Sequence, residues 1–366
     1  MTDNTNKKIE EIAVNAQPLS NITDVLLDNT SNPLVPKESN YSMIRQDPTT
    51  NALARVSSKS NIIQKDFTTT GIIQTQNGST NLAVIISEYG NVTLKQSTSK
   101  LLRLLTINFT ETGSKNKLLS IPLKNAMKDL GLNDIKSARK TIKGDLEALY
   151  NVSCEAQRTN YKGEKDHIAF RILDMQAIKN GVIYVNLSDQ IFSHLKRCEL
   201  MPYPKTLLRI RSDSQKNPYS YYLGDKIVEQ KKYHLFENSF QVSVKTLINE
   251  CTRNGMPTYE SIKNRSRHVN KLIIEPFERD LEACSTDIFE WEYCNKKGAP
   301  LTDEQISCET KKGKYKPQTY KDFEELYIRV TFKNDYPVNE FTVKKSKGGE
   351  GKQGRPQLKK TTKNKK

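Results

Sequence analysis

The chain lacks a long apolar run. Its longest aliphatic stretch, Leu82-Ala-Val-Ile-Ile86, falls far short of the ~20 residues that cross a bilayer. Met1 to Ile12 is polar and charged, without the apolar segment of a signal peptide. A soluble, cytoplasmic protein that makes no use of a membrane is therefore expected. Cysteine is sparse: Cys154, Cys198, Cys251, Cys284, Cys294 and Cys308 contain no C-x-x-C pair, which suits reduced thiols better than a disulfide framework. Cys284, Cys294, Cys308 and His268 follow no zinc-ligand spacing. The four histidines (His167, His194, His234, His268) stand at least 27 residues apart, so the His-hydrophobic-His metal pair of the commonest rolling-circle nucleases is missing. No phosphate-cradling glycine loop occurs either. The Tyr219-Ser-Tyr-Tyr222 cluster superficially resembles a nucleophile site, but Tyr222 with Leu223 and Ile227 has the spacing of a helix core. No catalytic residue, metal or cofactor is expected.

Acid is also scarce relative to base. Against 42 Asp and Glu stand 58 Lys and Arg, a net charge of +16, and such an excess implies a polyanionic partner. From Phe341 to Lys366 nine Lys and one Arg face a single Glu, whereas residues 1–65 hold seven basic and seven acidic groups. Hydrophobic residues make up 35%, or about 39% with the 16 glycines, low against roughly 45–50% (glycine included) for globular chains. This deficit places unpacked segments at the ends. The reading is an α+β protein with a disordered leader over 1–70, ordered units over 71–190 and 200–340, and a basic disordered tail over 341–366.

Periodicity supplies the units. Residues 81–88 and 92–95 read as a hairpin around Tyr89-Gly90-Asn91. Ser97 to Phe109 is a helix opened by hydroxyl caps. Pro122 to Leu130, the Gly131-Leu132 break, and a helix capped by Asn133 or Asp134 and running to Leu149 form a helix-turn-helix signature. Strands over Tyr150–Arg158 and His167–Leu173 then flank a polar tip, residues 160–166, with a further strand over Val182–Leu187. A helix-turn-helix followed by such a hairpin is a winged helix. The same order returns after a connector over Pro202–Arg211: a helix from Pro218 to Glu229, another over Val244–Cys251, a break at Gly255-Met-Pro-Thr258, long helical material over Tyr259–Ala283, and late strands over Ile288–Asn295 and Phe323–Phe332. Two tandem winged helices are expected.

The helix from Asp134 carries the most chemistry. At about 100° per residue, Ile135, Ala138, Ile142, Leu146 and Leu149 form one stripe. Lys136, Arg139, Lys140 and Lys143 form an arc about a third of a turn away, with Ser137, Thr141 and Gly144 beyond. A helix that enters the major groove needs this division between a docked apolar side and a small, basic, polar one. Lys162 and Lys165 would touch phosphate from the wing. In the second unit Val269, Leu272, Ile273 and Phe277 are expected inward and Arg267, Asn270 and Lys271 outward, with Pro276 kinking the helix or starting a new one. In the tail Gly354-Arg355-Pro356 is similar to the core of AT-hook peptides, although Gln353 stands where the hook has Arg. Arg355, Lys359 and Lys360 are thus expected chiefly to follow phosphates.

The stretch Lys205–Gly224, which ends Asn217-Pro-Tyr-Ser-Tyr-Tyr-Leu-Gly224, resembles replication proteins of plasmids, phages and integrated elements from low-GC Gram-positive bacteria. So do the run from Trp291 to Gln305, Tyr320 to Val330 and Asp335-Tyr-Pro337. Arg267-His-Val-Asn-Lys-Leu-Ile-Ile-Glu-Pro-Phe-Glu-Arg-Asp280 is similar to the second-domain helix of tandem winged-helix initiators from iteron plasmids. The likeness spans roughly 80–340, with specific motifs only in its second half. It implies binding to repeated double-stranded sites at an origin, opening of an A·T-rich segment, recruitment of a host replicative helicase or its loader, and homodimers in some states. A transcriptional repressor or partition protein with the same two domains is the alternative.

Overall fold

The structure is a computed structural model that describes residues 40–45, 50–51, 54, 71–74, 80–86, 94–113, 115–159, 165–198, 200–210, 216–234, 237–262, 269–301, 309–310, 314–315, 320–333 and 336–337. It is α+β, with small antiparallel sheets among helices. In chain order the elements of the first part are β1 (Tyr41–Arg45), β2 (Gly71–Gln74), β3 (Thr80–Ile86), α1 (Gln96–Glu111), β4 (Leu118–Pro122), α2 (Leu123–Asp129), α3 (Ile135–Asn151), β5 (Val152–Thr159), β6 (Lys165–Arg171), β7 (Leu173–Lys179), β8 (Val182–Leu187), α4 (Asp189–Arg197), β9 (Leu200–Pro204) and α5 (Thr206–Arg209). There follow α6 (Ser220–Lys231), β10 (Ser239–Ser243), α7 (Val244–Arg253), α8 (Tyr259–Ile262), a π turn over Asn270–Ile274, α9 (Glu275–Ser285), β11 (Phe289–Cys294), the two-residue strands β12 (Glu309–Thr310) and β13 (Lys314–Tyr315), α10 (Tyr320–Glu325) and β14 (Tyr327–Phe332).

One plan is built twice. In each unit a long helix (α1, α6) precedes a five-residue strand (β4, β10) that runs straight into a second helix (α2, α7). Each second helix ends in the same way. Gly131 donates to Lys128 O at 3.3 Å and Leu132 to Met127 O at 2.8 Å; Gly255 donates to Thr252 O at 3.2 Å and Met256 to Cys251 O at 3.1 Å. These are paired Schellman closures, and they need a left-handed residue at the cap, which Gly131 (φ +66°) and Gly255 (φ +100°) supply. A third helical segment follows, and two strands complete a three-stranded sheet. The strand orders β4-β8-β7 and β10-β14-β11 are equivalent, with the last strand in the middle.

The expected leader contributes to the fold. β1 pairs antiparallel with β9 from Tyr41↔Pro204 to Arg45↔Leu200, and Met43, Ile44 and Ala54 are buried. Tyr41 and Ser42 are buried too, so β1, packed beside α1, is covered on both faces and shows no alternation. The hairpin expected over 81–88 and 92–95 does not form as read. β3 pairs instead with β2 and β5 in a four-stranded sheet, β2-β3-β5-β6, while Leu94 and Lys95 lead into α1; residues 87–93 lie outside the described residues. Of the remaining leader and the tail, 1–39 and 338–366 also lie outside them.

The units meet through α1 and α6. Arg103, with side-chain exposure of 1%, forms a bidentate pair with Asp225 at 0%. Its Nε donates to Asp225 Oδ1 at 2.8 Å, its Nη2 to Oδ2 at 2.7 Å and its Nη1 to Asn51 Oδ1 at 2.6 Å. Tyr203 OH donates to Asp225 Oδ1 at 3.0 Å. Lys100 Nζ, close over the Tyr221 ring, donates to the Ile210 carbonyl, and burial holds its ammonium down to about 8. The connector adds further contacts, since a Cβ on Gly131 would lie 3.3 Å from the Arg209 backbone.

Candidate nucleic-acid interface

α3 is built as an outward-facing helix. Asp134 Oδ2 accepts the Ser137 N–H at 2.7 Å, which satisfies one of the free donors of the first turn. Ala138, Ile142, Leu146, Ala148 and Leu149 are buried and pack the helix on β7 and α1. Asp145 fixes its rotation: the carboxylate accepts from Thr98 Oγ1 at 2.6 Å and Ser97 Oγ at 3.0 Å on α1. Burial raises the Asp145 carboxyl above its ordinary value, and these two hydrogen bonds oppose the shift.

The opposite face is open. Lys136, Ser137, Arg139, Lys140, Lys143, Gly144 and Glu147 are all exposed. Lys143 pairs with Glu147 at 3.6 Å, whereas Lys136, Arg139 and Lys140 have no acidic partner among the described residues. Thr141 is half-buried. One expected core residue is corrected: Ile135, placed in the inward stripe, is 50% exposed, because the first turn projects past the body that covers Ala138 and Ile142. A Cβ on Gly144 would meet nothing within 4 Å. Glycine inside a helix costs roughly 0.5–1 kcal/mol relative to alanine, and no neighbour among the described residues requires it.

The second unit's third segment deviates from a plain helix. Pro276 has no N–H for the Leu272 carbonyl, and its ring crowds that oxygen. The backbone widens over Asn270–Ile274, closed by Glu275 N–H bonding Asn270 O, and α9 begins with Pro276 in its first turn. Val269, Ile273 and Phe277 are buried as expected, but Leu272 is turned out to 37% exposure and Asn270 is half-buried rather than outward. Lys271 is exposed; Arg267 lies outside the described residues.

The hairpin expected as a wing lies in a different sheet. β5 and β6 pair from Ser153↔Arg171 to Thr159↔Lys165, but this hairpin belongs to the four-stranded sheet. Lys162 lies outside the described residues, and Lys165 opens β6. The hairpin that completes the three-stranded sheet is β7–β8. It closes at Asn180 (φ 52°) and Gly181 (φ 74°), the left-handed pair of a type I′ turn, with Lys179 and Asn180 exposed at its tip. The Asn180-Gly181 pair itself was the available signal. Lys124 and Lys128, exposed one helical turn apart on α2, were also not singled out from the sequence. Arg355, Lys359 and Lys360 lie outside the described residues.

Of the tyrosine cluster, Tyr219 is half-buried. Tyr221 and Tyr222 are buried, and burial raises the Tyr221 phenol well above its ordinary value. Burial likewise raises the Cys251 thiol.

No family model matches the chain, and no curated protein matches it. Among solved structures, crystal structures of domains 2 and 3 of RctB align at 10% identity. One has a TM-score of 0.42 and covers 72% of this chain and 90% of that one; another has 0.41, with 73% and 91%. The WH1 domain of MSBI1.176, a replication protein isolated from a multiple sclerosis patient, aligns at 14% identity and a TM-score of 0.23, over 28% of this chain and 79% of that one. Overlap this loose leaves the site to rest on its own geometry.

Proposed function

We propose that the chain is a sequence-specific double-stranded DNA-binding protein made of two tandem winged-helix units, and that it initiates replication of a mobile element by binding origin repeats. One observation carries the DNA-binding part: the helix–strand–helix–Gly turn–helix–strand–strand plan occurs twice, and in its first copy α3 holds Lys136, Arg139 and Lys140 exposed and without acidic partners among the described residues. Unpaired cations on a helix locked from behind suit phosphates and guanine edges. Lys124 and Lys128 on α2, the helix that crosses the backbone in this type of docking, and Lys179 at the β7–β8 tip are further exposed cations of the same unit that suit backbone phosphates. The tail adds sequence-independent attraction through its lysines.

The step from DNA binding to initiation is supported by the sequence resemblance to initiators of low-GC Gram-positive elements. In this reading the protein is no enzyme, opens an A·T-rich segment by bending and untwisting duplex, and hands it to a host replicative helicase or its loader. Footprinting on the DNA flanking its own gene, with permanganate probing of unpaired thymines, tests the proposal. Protected direct repeats beside a reactive A·T-rich block are the expected result. Protection confined to a promoter, with no reactive thymines, would replace initiation by repression. A nick requiring Mg²⁺ or Mn²⁺ would overturn the non-enzyme reading.

A further inference from the structure

We infer that Ile135 and Leu272 are specificity-determining residues that read thymine, each packing on a 5-methyl group in the major groove. The inference rests on the DNA-binding reading above and deepens it. Three large hydrophobic side chains are exposed among the described residues: Tyr233 at 56%, Ile135 at 50% and Leu272 at 37%. Tyr233 lies in a short turn after α6. The other two occupy the third helical segment of a unit, one in each, and each adjoins an exposed lysine, Lys136 or Lys271.

Neither is out by the ordinary logic of a solvated face. Ile135 points along the buried stripe, three residues before Ala138, but lies a turn beyond the body that would cover it. Leu272 is displaced from its inward phase by the π turn that Pro276 imposes. The surroundings select the occupant. Lys136, Arg139 and Lys140 crowd the α3 face, so a protein or second copy covering Ile135 would have to desolvate unpaired cations. A duplex major groove supplies what fits: phosphates on both rims for the lysines, and on its floor the thymine methyl as an apolar knob. The first residues of a reading helix are the ones that reach base edges, and Ile135 is the first residue of α3.

The full chain should first be used to select a preferred duplex from a random-sequence library. Affinity is then measured for that duplex with each dT replaced in turn by dU, which removes only the methyl. At least one position in each contacted segment is expected to lose roughly four-fold in affinity. Ile135→Ala should abolish the dT-over-dU preference in one segment and leave the other; Leu272→Ala should do the reverse. Ile135→Val, which keeps a branched contact, should retain the preference. Because both side chains are partly exposed, folding should survive, and unchanged thermal unfolding verifies it. Sequence-selective binding with no dU-sensitive position, or with the same sensitivity in Ile135→Ala and Leu272→Ala as in the unsubstituted protein, overturns the inference and leaves DNA binding standing. Absence of any selected sequence overturns both.

Discussion

Removing Asp225 while Arg103 stays buried should be among the most damaging single substitutions in the molecule. The guanidinium is 1% exposed and makes two of its three side-chain hydrogen bonds to Asp225. Asp225→Ala would leave it with Asn51 alone and deprive Tyr203 OH of its acceptor. Breaking one side of a buried pair costs about 3–5 kcal/mol, which at a factor of ten per 1.4 kcal/mol lowers the folding constant on the order of a thousandfold. With a urea slope of about 2 kcal/mol/M, the midpoint should fall by roughly 2 M. Because the pair joins α1 to α6 across the two units, unfolding should also divide into two transitions. The companion variant Arg103→Met/Asp225→Leu removes both charges and should stay within about 2 kcal/mol of the unsubstituted protein, since apolar replacement of a buried pair is often nearly neutral. A loss below about 1 kcal/mol for Asp225→Ala, or a double variant as unstable as the single one, would refute the assignment.

Gly144→Ala should stabilise the fold by about 0.5–1 kcal/mol while weakening duplex binding, because its methyl would enter space that only a docked partner occupies; improved stability with unchanged binding in a mobility-shift titration would deny close approach there. Lys140→Ala should reduce affinity more than Lys143→Ala, since Lys143 already pairs with Glu147, and should flatten the log–log salt dependence by about one unit; equal effects would show that the ion pair opens on binding. Lys100→Met tests the pH linkage. The folded ammonium is depressed to about 8 from the ordinary 10.5, so the unfolded chain binds more protons between those values and stability must rise with pH through that window. The stability advantage of Lys100→Met over the unsubstituted protein should therefore shrink between pH 7.5 and about 9.5, and a constant difference in urea midpoint would exclude the buried, depressed lysine. Inserting about half a helical turn of DNA between the two contacted segments should cut affinity toward that of one segment alone, whereas unchanged affinity would mean that the units move independently.

The first unit's α3 was legible because cap, period and charge agree: Asp134 opens it, its apolar stripe recurs at helical spacing, and its lysines share one arc. Leu118–Pro122 was not, because β4 passes into α2 without a turn residue and the two merge into one apolar stretch. β7 escaped notice for the opposite reason. Leu173-Asp-Met-Gln-Ala-Ile-Lys179 is only half-buried along most of its length and lacks the β-branched run that marks a strand, so the Asn180-Gly181 signal had nothing visible on its first side. β1 is created by a partner, β9, far away in the chain. Ile135 and Leu272 were placed by period alone; period states a direction around the helix but not where the covering body ends, nor where a proline changes the helix's pitch. Arg103 and Asp225 were not singled out, because nothing local shows that one will neutralise the other across an interface.

In the proposed reading, that interface decides what two reading helices are worth. Were the units joined by a loose tether, each would bind its own segment and the second would gain only the effective concentration the tether allows. Here the junction is solid: Arg103 and Asp225 are fully buried, β1 runs from the leader to β9, and the Gly131 turn that sets the angle between α2 and α3 lies against Arg209 of the connector. In the proposed reading, the second helix therefore arrives pre-positioned, with little orientational freedom left to lose. The same solidity restricts the benefit to duplexes whose two segments have one spacing and one helical phase. A buried ion pair is a poor way to gain stability compared with apolar packing, but it has one permitted geometry, since a shift of either helix would strand a charge. On that argument, and in the proposed reading, the α1–α6 charge network keeps the register between the two DNA-facing surfaces, and the DNA spacing accepted would be as much a property of Arg103 and Asp225 as the bases read would be of α3.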